Sequence, residues 1–336
     1  MNRRRFFRAV TGLTALSALE FAPWQAMNAF ARDLEDFVRG PAVKDHPLKQ
    51  LSKHVWMIYS PDGFPTPENQ GMMCNITFVD TPKGLVVVDT GASVQIGEMA
   101  IRQVRKQFKK PVIAIINTHY HGDHFLGNDA FASAYPGLPI YAHPGTIKEI
   151  SGMQGDLWRT LMEQWTNQAT LGTRVVAPTQ ALEHGAELKF GNVILRLHHY
   201  GKAHTPSDLC VEVVDDKLTC VGDVAMDRRI ANMDDGSYLG SLKTYDALEK
   251  NTASKIWLPG HGVPSGQVLN WNRELFAGIY GACEQAVKAG ASMEEAKTLA
   301  LRDPRVASRA KETKGFETNI GKYVSLAYLE AEAAAF

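Results

Sequence analysis

The chain has 336 residues, with 36 basic side chains, 36 acidic side chains and 45% hydrophobic residues. This composition is sufficient for a large buried core, and the even charge balance argues against nucleic acid as a partner. The four cysteines have no zinc-knuckle spacing, so neither a disulfide scaffold nor a thiolate metal site is indicated. Cys210 and Cys220 are expected on two arms of one hairpin, either as buried thiols, which we favour, or as a disulfide.

The N-terminus has the pattern of a targeting segment. Residues 2–8 read Asn-Arg-Arg-Arg-Phe-Phe-Arg, and the apolar run 9–19 that follows is too short and too weakly apolar for a permanent membrane helix. The pattern resembles a bacterial twin-arginine export signal with a small-x-small cleavage site at 29–31. We therefore predict a signal peptide over 1–31, a single mature domain over 32–336, a periplasmic location and no stable membrane span after cleavage. An uncleaved, tethered form is the alternative.

Short β-strands dominate the next part of the chain. Alternation, an apolar run and a Pro-Gly turn predict three strands between residues 54 and 88. Asp89 ends the third strand, where its carboxylate is either a partner for a metal-bound histidine or a turn acceptor. Apolar spacings of three and four over 97–108 predict a helix. The continuous run 112–116 predicts a strand buried on both faces.

The segment directly after that strand contains four metal-competent side chains within six residues. They are His119, His121, Asp123 and His124. Imidazole nitrogens and carboxylate oxygens are ligands of divalent metals. Alternation at a strand end would aim His119 and His121 at one ion, while the two residues beyond Gly122 could face a second ion. The pattern predicts a two-metal site whose remaining ligands lie further along the chain.

A helical segment and a hairpin follow. Residues 146–171 are helical in character, interrupted by Gly152 and Gly155, and would cover the site as a flap. Trp158 on this flap would either line a substrate pocket or belong to the core. Apolar residues around a Gly-Asn turn predict a β-hairpin over 188–197.

Three further ligand candidates stand where predicted strands end. His204 lies in the loop after the hairpin, Asp223 follows the strand that starts at Leu218, and His261 follows the strand that starts at Ile256. Three metal-binding residue types at the ends of three predicted strands are hard to obtain by chance. The remaining histidines lack this context and are interpreted as structural or exposed: His46, His54, His143, His184, His198 and His199.

The ordered motifs T-H-x-H-x-D-H, A-H-T-P, G-D and P-G-H-G, over about residues 51–263, resemble the metallo-β-lactamase superfamily. The resemblance implies an α/β fold, a four-layer αββα sandwich with metals at one edge between the two sheets, extended by C-terminal helices from about residue 266. It implies that a first zinc ion is bound by His119, His121 and His204. A second would be bound by Asp123, His124 and His261, and Asp223 would bridge the two ions.

The resemblance also implies a reaction. A hydroxide held between two zinc ions would attack a small ester, thioester, lactone, amide or related substrate, and iron or manganese could replace zinc. Asp123 would orient this hydroxide and shuttle its proton, besides binding metal. Aspartate at position 223 favours general hydrolases of the family over the lactamases proper. Arg228 and Arg229 would either clamp a substrate anion or remain solvated loop charges.

Four features resemble exported bacterial members described as quinoprotein- or sulfur-oxidation-associated zinc metallohydrolases: the export signal, a strand predicted at residues 72–75, residues 227–229 and the helical C-terminus. Alternatives are a hydrolytic dehalogenase of the same fold, an iron-dependent oxidoreductase of the sulfur dioxygenase type, and a non-catalytic metal-binding accessory protein of a periplasmic redox pathway. The expected partner is a small-molecule substrate. The helices predicted over 271–300 and 319–335 would pack on the sandwich or also form a homodimer surface.

Overall fold

The computed structural model describes residues 38–61, 63–230 and 232–335, so the predicted signal peptide at 1–31 lies outside the described residues. Two β-sheets form the centre. The first contains, in spatial order, β1 (Leu48–Gln50), β2 (Val55–Ile58), β3 (Ile76–Thr81), β4 (Gly84–Val88), β5 (Val112–Ile116), β6 (Ile140–Ala142) and β7 (Gln180–Ala181). The second has the order β12-β11-β10-β9-β8, with β8 (Glu187–Phe190), β9 (Val193–His198), β10 (Cys210–Val213), β11 (Leu218–Gly222) and β12 (Ile256–Pro259).

Helices cover both sheets. Those connecting strands of the first sheet are α1 (Val94–Gln107), α2 (Gly122–Phe125), α3 (Asn128–Ala134), α4 (Pro144–Ser151) and α5 (Met153–Trp165). Those of the second half are α6 (Tyr238–Asn251), α7 (Val268–Lys288), α8 (Met293–Arg302), α9 (Pro304–Ala310) and α10 (Phe316–Ala335). Within the described part of the chain, no helix is both long and apolar enough to cross a membrane.

Three separate apolar clusters define the layers. Strand β4 contributes side chains to two of these clusters, because successive side chains of a strand point to opposite faces of the sheet. Leu85 and Val87 join the cluster between the first sheet and its helices, whereas Val86 and Val88 join the cluster between the two sheets. A third cluster lies between the second sheet and α6 to α10. The layers are therefore helix, sheet, sheet and helix, and the predicted αββα sandwich is confirmed.

Several local predictions were wrong. Helix α5 runs through Gly155 and ends at Trp165, so the predicted helical segment is interrupted at Gly152 but not at Gly155, and residues 166–171 form turns. Residues 72–75 precede β3 and are not strand. The favoured prediction for Cys210 and Cys220 is confirmed, because they lie on neighbouring strands as buried free thiols, with Val211 and not Cys210 opposite Cys220.

The C-terminal helices pack on the second sheet as predicted. Tyr323 is buried, and Leu326 and Tyr328 pack against the same apolar cluster. Leu329 is 52% exposed. Most of the apolar surface suggested for a homodimer is thus used inside the chain, and the homodimer stays a prediction.

Candidate metal centre

The seven predicted ligands meet at one end of the two sheets. Four follow β5, in the turn into α2 and in α2 itself, and three follow strands of the second sheet. All seven side chains are buried: His119, His121, Asp123, His124, His204, Asp223 and His261. Because each strand ends at this edge, residues far apart in sequence converge there.

The first group consists of His119, His121, His204 and Asp223, whose nearest donor atoms all lie within 4.8 Å of one another. His204 Nε2 is 3.0 Å from His121 Nδ1 and 3.6 Å from Asp223 Oδ2. His119 Nε2 is 3.9 Å from the same carboxylate oxygen. Three imidazole nitrogens and one carboxylate oxygen therefore face a common point.

The second group consists of Asp123, His124 and His261. Asp123 Oδ2 is 3.2 Å from His124 Nε2 and 3.1 Å from His261 Nε2. Asp223 reaches this group as well, with Oδ1 3.3 Å from His124 Nε2 and Oδ2 3.3 Å from His261 Nε2. The Asp223 carboxylate is thus shared by the two groups.

Unsatisfied buried atoms indicate that these groups fit divalent metal ions. His119 Nε2, Asp123 Oδ2, His124 Nε2 and Asp223 Oδ1 are buried, and none makes a contact with hydrogen-bond geometry to a described residue, the approaches of 3.1 to 3.3 Å given above included. Leaving such atoms unpaired is costly, so an ordinary core does not contain them in a cluster. Nitrogen and carboxylate oxygen donors suit zinc, manganese and iron.

The charge states of two of the histidines and of one carboxylate also suit metal binding. Burial lowers the pKa of His121 to about 4 and that of His204 to about 3, so both are neutral imidazoles at pH 7. Burial alone would raise the pKa of Asp223, but His261 and His124 hold it well below its ordinary value. Neutral imidazoles and ionised carboxylates are the forms that coordinate metals.

Asp89 orients one histidine in each group. Its Oδ2 accepts a hydrogen bond from His124 Nδ1 at 2.9 Å, which leaves His124 Nε2 free to bind a metal. The Thr118 hydroxyl donates to the same oxygen at 2.8 Å and lies 3.0 Å from His119 Nδ1. Of the two roles considered for Asp89, partner of a ligand histidine and turn acceptor, the structure shows the first.

Residues before β3 hold the turn that carries His261. The backbone carbonyl of Met73 accepts a hydrogen bond from His261 Nδ1 at 2.7 Å. The Asn75 amide donates to the carbonyls of Pro259 and Gly262, at 3.0 and 2.9 Å. The sequence offers a signal for this role, since Asn75 is a polar residue at the start of an apolar strand, but its partners lie more than 180 residues away.

Asp208, which was not among the predicted site residues, has a similar role for His204. Its carboxylate accepts hydrogen bonds from the Thr205 backbone N–H at 2.8 Å and from the Thr205 hydroxyl at 2.7 Å. Burial raises the pKa of Asp208 to about 7. The spacing of Thr and Asp around Pro206 is typical of a side-chain-stabilised turn and could have indicated it.

Of the three residues predicted to contact substrate, two line the cavity over the ligand groups and one does not. The Trp158 ring lies 4.6 Å from the His121 ring and lines the cavity over the ligand groups, while also packing against the core. Arg229 lines the same cavity. Arg228 does not, because its side chain is 64% exposed and Nε lies 3.5 Å from Glu312.

The fold and the ligand groups together define a class, a two-sheet sandwich with a histidine and aspartate metal centre at one edge. The chain belongs to the metallo-β-lactamase superfamily, whose family model matches residues 69–261. It is 26% identical over 222 residues to the metallo-β-lactamase type 2 of Bacillus cereus, covering 64% of this chain and 76% of the relative. A linear primary-alkylsulfatase of Pseudomonas sp. (strain ATCC 19151) is 44% identical over 55 residues, or 16% of this chain and 10% of that protein.

Solved structures show the same fold. A metallo-β-lactamase from Pontibacter korlensis has a TM-score of 0.56 at 19% identity, covering 68% of this chain and 97% of that one. A stereoselective inverting sec-alkylsulfatase from Pseudomonas sp. has a TM-score of 0.67 at 16% identity, covering 84% of this chain and 50% of that one. At these identities the similarity concerns the fold alone.

Proposed function

We propose that this protein is an exported hydrolase that uses two zinc ions to cleave a small ester, thioester, lactone, amide or sulfate-ester substrate. The observation that carries the proposal is the Asp223 carboxylate, which lies within 4 Å of histidines of both ligand groups. His119, His121 and His204 would hold one ion with it, and Asp123, His124 and His261 the other.

Bound divalent ions would supply Lewis acidity and lower the pKa of water to about 7, which makes a nucleophile available at neutral pH. The chain itself positions the reactants. The Asp123 carboxylate is buried and lines the cavity, so besides holding an ion it would orient the attacking water, accept its proton and pass that proton to the leaving atom. No serine or cysteine nucleophile is required, and the Cys74 thiol, whose pKa burial raises well above its ordinary value, is unsuited to that role.

Metal analysis and a substrate panel test the proposal. Purified protein is expected to contain about two zinc ions per chain, and hydrolysis is expected to disappear on chelation and return with zinc. The panel includes β-lactam and alkyl sulfate substrates, because the relatives carry those activities in their names, together with thioester, lactone, phosphoester and haloaromatic compounds.

Less than one equivalent of metal in folded protein would refute the dinuclear hydrolase. Iron in place of zinc, with oxygen-dependent turnover of a sulfur compound, would support the oxidoreductase instead. Retention of the biological role after Asp123→Asn would support the non-catalytic accessory protein. The last two outcomes therefore separate the hydrolase from the oxidoreductase and from the accessory protein.

Export is a separate part of the proposal. Residues 2–8 contain the arginine pattern that supports twin-arginine transport into the periplasm. The double variant Arg4→Lys and Arg5→Lys is expected to move the full chain from the periplasmic to the cytoplasmic fraction. An unchanged distribution between the two fractions would count against this route.

A further inference from the structure

The cavity above the ligand groups has a volume of about 910 Å³, at the upper end of the range of small-molecule sites. Five of the predicted metal ligands form its floor: His121, Asp123, His204, Asp223 and His261. The cavity is therefore much larger than the metal centre requires, and the residues of its walls indicate which class of substrate it binds.

One wall is a continuous series of aromatic rings that begins at the metal centre. The Trp158 ring lies 4.6 Å from the His121 ring and 6.1 Å from the Trp165 ring, and the Trp165 ring lies 5.4 Å from that of Phe64. Phe64 is 58% exposed at the outer end. The series thus leads from a predicted metal ligand to solvent.

Helix α5 builds most of this wall. Trp158, Leu161 and Trp165 lie three and four residues apart, so they share one face of the helix, and all three line the cavity. The helix approaches closely because Gly122 has no side chain, since a Cβ there would lie 2.7 Å from the Trp158 Cβ. At the rim of the cavity, Leu157 is 49% exposed. Such a wall binds hydrocarbon better than a polar chain.

Arg229 supplies a positive charge in the same cavity that has no ion-pair partner within the described part of the chain. Its Nη1 atom is buried and has no hydrogen-bond partner among the described residues. The two lysines of the cavity are different: Lys322 Nζ contacts Asp234 at 2.7 Å, and Lys314 Nζ donates to the Pro61 carbonyl at 2.8 Å. A buried guanidinium nitrogen without a partner favours an anionic ligand.

The acidic residues of the cavity outside the ligand groups are already engaged. Asp234 pairs with Lys322, and Asp235 accepts a hydrogen bond from the Tyr120 hydroxyl at 2.9 Å. Neither is an ion-pair partner of Arg229 in the described structure. Among the described residues of the cavity wall, Arg229 and Lys314 are therefore the cations without an acidic partner, and of these two only Arg229 has a buried nitrogen without a hydrogen bond.

We propose that the substrate is an amphiphilic anion, whose negatively charged oxygens contact Arg229 beside the metal centre and whose hydrocarbon tail lies along the Trp158, Trp165 and Phe64 rings. This inference rests on the proposed hydrolase function and names its substrate class. Sulfate and phosphate heads share the required chemistry, and the experiment separates them.

Binding of non-hydrolysable analogues tests the inference independently of turnover. Butyl, hexyl and octyl sulfonate, octyl phosphonate and the neutral alcohols of the same lengths are titrated calorimetrically into metal-loaded and chelator-treated full-length protein. Affinity for the sulfonates is expected to rise up to about fourfold per methylene group. The preferred head group, sulfonate or phosphonate, indicates the class of ester.

Matched arginine variants test the anion contact. Arg229→Gln is expected to weaken octyl sulfonate binding by about ten- to a hundredfold and to leave octanol binding unchanged. Arg229→Lys is expected to recover part of the loss, because it keeps the charge. Arg228→Gln, at the exposed neighbouring residue, is expected to bind both ligands like the wild type.

The tail contact has its own variant. Trp165→Ala is expected to reduce the gain in affinity per methylene group without changing the metal content. Sulfonate affinity that does not depend on chain length, or that is equal in the wild type and Arg229→Gln, would overturn the inference. A protein that binds these amphiphiles when metal-free but never hydrolyses an ester would contradict the proposed function, while the amphiphilic anion would stand as the ligand of the cavity.

Discussion

Asp89 connects two ligand groups through a single carboxylate. It contacts His124 directly and His119 through the Thr118 hydroxyl. Its φ of 57° is in the left-handed region, which asparagine adopts readily and alanine does not. Asp89→Asn should therefore keep the backbone but lose the negative acceptor, and we expect metal affinity to fall by about ten- to a hundredfold. Competition with a coloured chelator measures this change.

A second buried carboxylate and histidine pair provides the control. Asp216 Oδ1 lies 2.5 Å from His54 Nδ1, at the end of β11 opposite Asp223. Asp216→Asn should lower the free energy of unfolding by about 1 to 3 kcal/mol and leave metal affinity unchanged. Equal metal affinity in Asp89→Asn and Asp216→Asn would show that Asp89 does not position the ligands.

At the scale of elements, long periodic segments were predictable and short ones were not. Helix α1 and strand β5 were predicted because each has a repeated apolar pattern that burial enforces. Strands β1 and β7 have three and two residues, too few for any pattern, and exist only because a neighbouring strand supplies their hydrogen bonds. The break wrongly placed at Gly155 has a similar reason. A Cβ there would lie 2.3 Å from the Ile150 carbonyl oxygen, so this glycine serves close packing and not a turn.

The turn after β12 shows how an element end places a ligand. A Cβ at Gly260 would lie 2.2 Å from Asp223 Oδ1 and 2.7 Å from His124 Cε1. Gly260→Ala must therefore displace one ligand from each group, and we expect metal affinity to fall about tenfold or more. The metal content of the folded protein is measured by elemental mass spectrometry.

Gly321 on α10 is the matched position. A Cβ there would meet no atom within 4 Å, and alanine favours a helix over glycine by about 1 kcal/mol. Gly321→Ala should bind metal like the wild type and unfold at the same or a slightly higher temperature. Full metal content in Gly260→Ala would mean that the turn adjusts without moving Asp223 or His124.

At the scale of the whole molecule, the ligand types were predictable but their supports were not. The motifs identify His119, Asp223 and His261 because each stands at a strand exit with a chemistry that metals require. Such motifs do not reveal the hydrogen bonds made by the Met73 carbonyl and the Asn75 amide. Every residue type has a backbone carbonyl, and both hydrogen bonds form only when distant parts of the chain pack together. Support of this kind depends on how the two sheets pack, which local sequence patterns do not describe.

The same packing means that metal should hold the two sheets together. The first sheet supplies His119 and His121, and the second supplies His204 and Asp223, so a filled site joins them. An ion present at about a thousandfold above its dissociation constant stabilises the folded state by about 4 kcal/mol. For a chain of this size we expect chelation to lower the melting temperature by on the order of 10 °C, and zinc to restore it. Differential scanning calorimetry measures both values.

Two variants test whether the ligands cause this effect. Asp223→Ala should lose most of the zinc-dependent increase in melting temperature, whereas Asp216→Asn should keep it. Identical melting of the loaded and chelated wild type would show that the ligands do not join the sheets.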